Sequence, residues 1–372
     1  GDDVYLMYTG GTTGMPKGVV WRMEAAFFAC VGGGDPMRLL GPVSSVDELC
    51  DRILDDQVVV MACAPLIHAA AQWTSMSWWL CGGRMVLLPG SFDGAEVWRQ
   101  IEAEGVNILI VIGDAMARPL LDAWDDEGGF EVPSLYTVSS GGAPLNPNNK
   151  ARLQEILPNL IIADGYGSSE TGAQGTQRLM PGDSASEGTK FVLDPEVTCV
   201  LDEDMVPIEP GSDTIGKVAR TGRMPLGYYG DPKKTAETFV EANGKRWAIT
   251  GDQAVVEADG TITVLGRGSV SINTGGEKVF PEEVEAALKT HPDVFDTVVV
   301  GVPDERWGET IAAIVAATEG AEPTLDVLKA HVRTSIAGYK VPRKLVIVDE
   351  VVRSPTGKAD YPWAKKTASD RE

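Results

Sequence analysis

Short apolar runs rich in β-branched residues recur through the first half of the chain: Val4–Tyr8, Val58–Ala62, Met85–Leu88, Ile108–Val111, Leu135–Ser139 and Leu160–Ala163. Runs of this length, bounded by turn residues, predict buried parallel strands. Between them the period changes to that of a helix. In Gly94–Glu104, Val97, Trp98 and Ile101 share one face, and in Asn146–Leu157 the apolar positions are Leu153, Ile156 and Leu157, with Pro158 as the stop. Strand and helix in alternation predict an α/β body with a largely parallel sheet. After about position 187 the pattern shifts to Val197–Leu201, Ile215–Val218, Ala254–Glu257 and Thr261–Leu265, the last following the turn signal Asp259-Gly260. This predicts a small antiparallel β unit over 187–266. Beyond Gly266-Arg267 the sequence predicts a helix at Pro281–Leu288, strands at Val298–Val302 and Ile311–Ala317, a helix at Leu325–Ser335 and a last strand at Leu345–Val348. The expected division is therefore a body over 1–267 and an α+β domain over 268–372, a normal domain size.

Composition narrows the class. The 372 residues are 43% hydrophobic and 23% charged, which fits a folded globular chain of two or three domains. No apolar run reaches the ~18–20 residues of a transmembrane helix. The five cysteines (Cys30, Cys50, Cys63, Cys81, Cys199) are scattered and form no CxxC, so neither a disulfide framework nor a thiolate zinc site is expected. A reducing, cytoplasmic setting is the corresponding expectation. The formal net charge of −22 argues against general nucleic-acid binding. It is spread unevenly, −3 over residues 267–372 and −19 over the rest. Two domains with different partners fit this, and so does an acidic surface that only aids solubility.

The strongest chemical signal is Tyr8-Thr-Gly-Gly-Thr-Thr-Gly-Met-Pro-Lys17-Gly-Val. Glycines let successive backbone N–H groups converge on an anion, threonine hydroxyls add donors, and Lys17 adds a mobile positive charge. This is a polyphosphate cradle, without the GxxxxGK[ST] spacing of the common P-loop. Further strings follow in order: Pro65-Leu66-Ile67-His68, Gly141-Gly142-Ala143-Pro144-Leu145, Gly165-Tyr166-Gly167-Ser168-Ser169-Glu170-Thr171, Thr250-Gly251-Asp252, Gly266-Arg267, Ile272-Asn-Thr-Gly-Gly-Glu-Lys-Val-Phe-Pro-Glu-Glu-Val-Glu285 and Ser354-Pro-Thr-Gly-Lys358. Taken singly several have plain readings: a satisfied buried histidine at His68, a strand-end turn at 141–145, a common Gly-Asp turn at 251–252, a glycine turn before a helix at 275–281.

Taken together, these strings resemble the adenylate-forming enzymes, which include acyl-CoA synthetases, luciferases and peptide-synthetase adenylation domains. The resemblance covers essentially the whole chain. It implies that Thr9, Gly10, Gly11, Thr12, Thr13, Gly14 and Lys17 hold the β,γ-phosphates of ATP. Gly141, Gly142, Ala143 and Pro144 would flank adenine, with Tyr166 stacked on it and Gly167, Ser168 and Ser169 nearby. Asp252 would take the ribose diol, since a carboxylate accepts two hydroxyl hydrogen bonds at once, and Arg267 the ribose or phosphate. Glu170 would hold Mg²⁺, a hard cation suited to carboxylate oxygen. Lys358 would be the catalytic cation at the α-phosphate, and His68 would sit beside the acyl carboxylate. Gly275, Gly276 and Glu277 would line the path of CoA. The aromatic stretch Ala69–Gly83 would line an acyl pocket with His68, Trp73, Met76 and Gly165, although an aromatic core helix reads the same way. The implied reaction joins a hydrophobic carboxylic acid, of fatty or steroid side-chain type, to CoA through acyl-AMP. An acyl-AMP ligase loading a carrier protein and a non-catalytic nucleotide-binding remnant are the alternatives.

Four positions depart from the family pattern. Gly10 stands where a serine is usual, Ser269 falls on the pivot where an aspartate or lysine is usual, and Asn273 replaces a frequent lysine. The arginine expected soon after the catalytic lysine is replaced by Ala359-Asp360-Tyr361. The phosphate loop also begins at position 8, where the family has a large preceding stretch. The expectation is a truncated chain, impaired alone, with Val4–Tyr8 left as an exposed edge without sheet neighbours and loop 10–18 poorly ordered without nucleotide. An oligomer is compatible with the sequence.

Overall fold

The computed structural model describes residues 2–9, 16–53, 57–88, 90–183, 190–353 and 358–370. The chain divides into two compact units. The first comprises Gly1–Ser186, Phe191–Ile208 and Val218–Thr250; the second comprises Glu187–Lys190, Glu209–Lys217 and Gly251–Glu372. The strands in chain order are β1 (Val4–Thr9), β2 (Lys17–Arg22), β3 (Val59–Ala62), β4 (Arg84–Leu87), β5 (Ile108–Val111), β6 (Thr137–Gly141), β7 (Ile161–Ser168), β8 (Gly172–Leu179), β9 (Lys190–Leu193) and β10 (Thr198–Leu201). They continue with β11 (Gly216–Arg220), β12 (Gly227–Tyr228), β13 (Phe239–Ala242), β14 (Lys245–Val256), β15 (Ile262–Arg267), β16 (Ile272–Thr274), β17 (Glu277–Val279), β18 (Val294–Asp304), β19 (Gly308–Ala317) and β20 (Lys344–Val348). The helices are α1 (Met23–Ala29), α2 (Val46–Asp51), α3 (Ala69–Leu80), α4 (Gly94–Glu104), α5 (Gly113–Glu127), α6 (Pro147–Ile156), α7 (Pro232–Thr238), α8 (Pro281–Lys289), α9 (Leu325–Val332) and α10 (Tyr361–Asp370).

The first unit is built on a mixed sheet ordered β9-β8-β7-β6-β5-β3-β4. Strands β4, β3, β5, β6 and β7 run parallel, as their apolar runs predict. β8 then pairs antiparallel with β7, and β9 antiparallel with β8. The helix at Gly94–Glu104 forms as expected. Asp93 caps it by accepting from the Glu96 N–H at 2.9 Å, Gly105 ends it at φ +63°, and Val97, Trp98 and Ile101 are fully buried. The sequence reading of Val4–Tyr8 is corrected. β1 is no buried parallel strand but pairs antiparallel with β2, in a small sheet ordered β1-β2-β12, so it does have a neighbour. The reason is alternation: Met7 points into the core while Val4, Leu6 and Tyr8 face outward. β8 was not legible as a strand, because its GAQGTQRL string lacks apolar alternation.

In the second unit β16–β20 form a sheet ordered β17-β16-β19-β18, with β20 parallel to β19. β18 and β19 are covered on both faces. Val299, Ile311, Ala313 and Val315 pack with Val284, Leu288, Leu328 and Val332 of α8 and α9, while Val298, Val300, Ala312, Ile314 and Ala316 pack with Ala364 and Ala368 of α10. Two-sided burial explains their unbroken apolar runs. Leu325–Ser335, read as one helix, leaves the helical ladder after Val332.

A buried carboxyl makes this unit sensitive to pH. Glu285 on α8 accepts the Val299 N–H at 2.9 Å. Burial, reinforced by the nearby Glu282, pushes its pKa up to about 7. Glu285 in the folded chain therefore keeps its proton between roughly pH 4.5 and 7, where the unfolded chain has lost it. Stability conferred by this group falls as pH rises through that window, by on the order of 3 kcal/mol. Glu285→Gln keeps the acceptor and removes the titration. Urea unfolding at pH 5 and pH 7.5 is expected to show the wild type losing stability at the higher pH and the variant losing much less. Equal slopes for both proteins would refute the assignment.

Candidate active site

β1 and β2 form a hairpin that brings Thr9 opposite Lys17, so the two ends of the Gly/Thr string are neighbours. Gly10, Gly11, Thr12, Thr13 and Gly14 lie outside the described residues. On the other side of β2, Tyr228 of β12 pairs with Val19. The Lys17 ammonium lies 5.7 Å from the centre of the Tyr228 ring and 3.6 Å from Asp231 Oδ2. Tyr228 donates its hydroxyl hydrogen bond to Glu170 Oε1 at 2.8 Å. Lys17, Tyr228 and Glu170 thus form one continuous polar chain within the first unit. Both Lys17 and Asp231 are well exposed, so their pairing adds little stability and leaves the ammonium mobile.

Glu170 sits in a tightly bonded turn between β7 and β8. The Ser168 N–H donates to Thr171 Oγ1 at 3.0 Å, the Glu170 N–H reaches Ser168 Oγ at 3.3 Å, and Trp21 of β2 donates its indole N–H to the Ser169 carbonyl at 2.9 Å. Trp21 is fully buried, so the hairpin and the Glu170 turn are fastened through the core. Gly172 closes the turn at φ +71°, with a missing Cβ that would lie 2.6 Å from the Ala29 carbonyl oxygen.

The remaining first-unit positions gather where the parallel strands end, the edge at which open α/β sheets take their ligands. Gly141 pairs with Gly165 across β6 and β7. Cβ atoms at Gly141 and Gly142 would stand 3.7 and 4.0 Å from Ala70, two residues after His68. His68 is the partly exposed N-cap residue of α3. The Gly142–Asn146 loop is held from below. Asp114 Oδ1 accepts the Asn146 N–H and the Asn149 side-chain amide, each at 2.9 Å. The Asp114 N–H donates to the Pro144 carbonyl at 3.1 Å, and the Gly113 N–H to Ser140 Oγ at 3.2 Å. Beside this cradle the buried Lys150 and Asp164 form an ion pair, with Lys150 also donating to Gln177 at 2.9 Å. Burial pushes the Asp164 carboxyl up despite that partner.

Tyr166 stacks on Phe191 at 5.1 Å between ring centres, an aromatic partner that no motif announced. Trp73 and Met76 belong to the cluster of Met7, Val19, Trp21 and Ala26, where Trp73 meets Trp21 edge-on at 6.3 Å and donates to the Tyr5 hydroxyl at 3.1 Å. Tyr5 is itself pushed up to about 12 by burial, so it stays protonated. Tyr228 and Asp231 were also missed. Their signal is the Gly227-Tyr-Tyr-Gly-Asp231 turn, which by itself is an ordinary loop sequence.

The second unit holds the other expected positions. Asp252 and Arg267 pair across β14 and β15, with Arg267 Nε donating to Asp252 Oδ1 at 3.2 Å. Gly275, at φ +62°, donates its N–H to the Trp307 carbonyl at 2.9 Å, and a Cβ there would press on the Trp307 ring. That ring lies between Arg306 and Arg343, 4.7 and 4.5 Å from its centre. Gly276, at φ +91°, faces open space, and Glu277 begins β17 opposite Thr274. Lys358 is exposed, just after residues 354–357, which lie outside the described residues.

The donor set fits Mg²⁺. Among the described residues no three His, Cys, Asp or Glu side chains are grouped to cage a metal. A single carboxylate, Glu170, beside serine and threonine hydroxyls is the sparse all-oxygen arrangement in which Mg²⁺ keeps its waters and shares substrate phosphates. Among the described residues no helix is long and apolar enough to cross a membrane.

Comparison with known proteins gives this arrangement relatives. Residues 1–229 match the family of AMP-binding enzymes, and residues 283–358 match the AMP-binding enzyme C-terminal domain. The whole chain is 49% identical to a medium/long-chain-fatty-acid–CoA/3-oxocholest-4-en-26-oate–CoA ligase of Mycobacterium marinum, covering 67% of that protein. It is also 49% identical, over 98% of its length, to a 3-oxocholest-4-en-26-oate–CoA ligase of Rhodococcus rhodochrous, covering 66% of it. The chain thus spans about two thirds of the length of these relatives. Among solved structures, the anthranilate CoA ligase AuaEII in complex with anthranoyl-AMP superposes with a TM-score of 0.80 at 24% identity, over 99% of this chain and 68% of that one.

Proposed function

The chain belongs to the AMP-binding enzyme family, and on that premise we propose that it joins a hydrophobic carboxylic acid to CoA at the expense of ATP, through an acyl-adenylate. The observation that carries this reading is the polar chain Lys17–Tyr228–Glu170, set beside the two ends of the Gly/Thr string. An ammonium and a metal-capable carboxylate brought together through one tyrosine support the binding of a polyphosphate, which calls for both.

In this reading Lys17 and Thr9, with the intervening backbone, bind the β,γ-phosphates. Glu170, oriented by Tyr228, holds Mg²⁺, which neutralises phosphate charge when bound. The glycines at 141–142 let a flat base approach the backbone of the Asp114-supported loop, with Ala143, Pro144, Tyr166, Gly167, Ser168 and Ser169 around it. Asp252, steadied by Arg267, takes the ribose hydroxyls. The acid carboxylate, near His68 and Gly165, attacks the α-phosphorus, and pyrophosphate leaves. Lys358 supplies positive charge to the crowded oxygens at phosphorus. The thiol of CoA, its arm passing Gly275, Gly276 and Glu277, then attacks the mixed anhydride and AMP leaves. The two roles fall on one C-terminal domain, proposed here as 268–372, which would serve them in turn. The body is then 1–267, with 187–266 its β-rich part.

Relatives named for fatty and steroid acids support a hydrophobic substrate. A cytoplasmic location accords with free thiols at all five cysteines; burial pushes that of Cys63 up to about 12, which keeps it unreactive. The test is acid-dependent pyrophosphate release with and without CoA, using fatty, steroid side-chain and small polar acids. The expected result is release with the hydrophobic acids and thioester on adding CoA. Release without thioester would redirect the product to a carrier protein. Activity confined to small polar acids would overturn the substrate class, and no release with any acid would overturn the enzyme reading.

A further inference from the structure

The string Ala359-Asp360-Tyr361, where the family pattern has an arginine, is left without a role by the reaction above. In the second unit Tyr361 opens α10, three residues beyond Lys358. Its hydroxyl hydrogen-bonds the Glu282 carboxyl, in the first turn of α8. The same carboxyl accepts the backbone N–H of Arg267. It also lies directly against Gly266: at φ +124°, a Cβ there would overlap Glu282 Oε2 and come within 2.9 Å of Oε1. Glu282 Oε2 is itself buried and has no hydrogen-bond partner among the described residues. One carboxyl therefore touches two segments almost a hundred residues apart in sequence, the end of β15 and the start of α10.

The segment bearing Lys358 is fastened at its other end as well. Arg353 forms a two-pronged ion pair with Asp296, both bonds at 2.7 Å, and bridges to Ala359. Asp360 caps α10 by accepting the Trp363 N–H at 3.0 Å. Lys358 is thus followed directly by two held positions, Ala359 and Tyr361, of which Tyr361 reports to the backbone at 266–267.

We propose that Glu282 is a positioning residue that couples the backbone at Gly266–Arg267 to the Lys358 segment through Tyr361. A carboxyl suits this because it accepts two donors with one oxygen and leaves the other packed on a bare Cα. Glycine at 266 is required by that packing. The charged and titratable groups facing Glu282 are Glu285 on its own helix, Asp252 from β14 and Tyr361 from α10. With two carboxylates close by, burial holds Glu282 toward its neutral form. The coupling rests on the proposed function only in the role given to Lys358; the contact itself does not.

Backbone hydrogen exchange on the full chain separates the two. Tyr361→Phe removes one hydroxyl and keeps the ring. It is expected to accelerate exchange of the Arg267 amide by about fivefold to tenfold, the range for one lost hydrogen bond, while amides of β18 and β19 are unchanged. Glu282→Gln, which retains an acceptor oxygen, is expected to stay within about twofold of wild type at Arg267, and Glu282→Ala to match or exceed Tyr361→Phe. Faster exchange confined to 358–364 in Tyr361→Phe would overturn the coupling, whether or not Glu282→Ala folds. In pyrophosphate exchange, Tyr361→Phe is expected to lower kcat and leave the KM for ATP unchanged. An unchanged kcat alongside a faster Arg267 amide would keep the contact but overturn its positioning of Lys358, whereas no activity in wild type would count against the proposed function alone.

Discussion

Lys358→Ala is expected to lower acid-dependent pyrophosphate exchange by about 10²–10³-fold, with little change in stability. The two halves of that expectation have separate grounds. Lys358 is exposed, and substitutions at exposed positions usually shift stability by no more than about 0.5 kcal/mol. The anchors of its segment, Arg353 to Asp296 and Tyr361 to Glu282, do not involve the ammonium. A loss of rate therefore cannot be charged to unfolding. In the first half-reaction a carboxylate approaches a polyanion, and a cation at phosphorus is worth most when charge is crowding into the transition state. KM for ATP should move little, because in the proposed function ground-state binding rests on Lys17 and on the Mg²⁺ that Glu170 would hold. Lys358→Arg keeps the charge but replaces a compact ammonium with a planar fork, so partial recovery is expected. The second half-reaction, started from synthetic acyl-AMP and CoA, should survive in Lys358→Ala. Pyrophosphate exchange within about threefold of wild type would remove Lys358 from the chemistry.

How much of this could be read in advance varies with the kind of signal. Parallel strands β3 and β5 were legible because burial on both faces leaves unbroken apolar runs, β4, β6 and β7 from shorter apolar stretches with half-buried positions between, and α4 because cap, face and stop all agree. The Glu170 turn and the loops at 141–145 and 275–276 were legible as turns because glycines and hydroxyls stand where backbone closes on another chain segment, whereas Gly10–Gly14 of the Gly/Thr string lie outside the described residues. What escaped lies across space. Tyr228 meets Glu170 from 58 residues away, and nothing around it marks the meeting. Phe191 lies against Tyr166 only because β9 pairs with β8. Asp114 is one acid among many on α5, and its importance comes from the carbonyl and amides above it. Val4–Tyr8 was misassigned because a five-residue apolar run does not say whether its alternate side chains face protein or solvent, and the hairpin pairing with β2 settles that.

The support beneath the 141–146 loop leads to the second large effect. Gly113→Ala is expected to weaken ATP binding by at least about tenfold and to destabilise the first unit by about 2–4 kcal/mol. Gly113 stands at φ +45°, which costs an L-residue strain. The added methyl would overlap the Pro144 carbonyl oxygen and lie 2.8 Å from that of Ala143, and both are backbone atoms with no rotamer to escape through. Relief requires the loop to lift or Gly113 to move away, and either strains two bonds at once. The Gly113 N–H would leave Ser140, and the Asp114 N–H would leave Pro144. Asp114 would then hold Asn146 and Asn149 less well, and these cap and begin α6. The effect should separate by reaction. Nucleotide affinity, measured by calorimetry with a non-hydrolysable ATP analogue, should fall together with the thermal midpoint, while the second unit, monitored by exchange protection of β18 and β19, stays intact. Wild-type affinity in a destabilised Gly113→Ala protein would mean that the loop bears on the fold but not on adenine. A wild-type midpoint would mean that the loop yields without cost, and the account of its support from below would have to be given up.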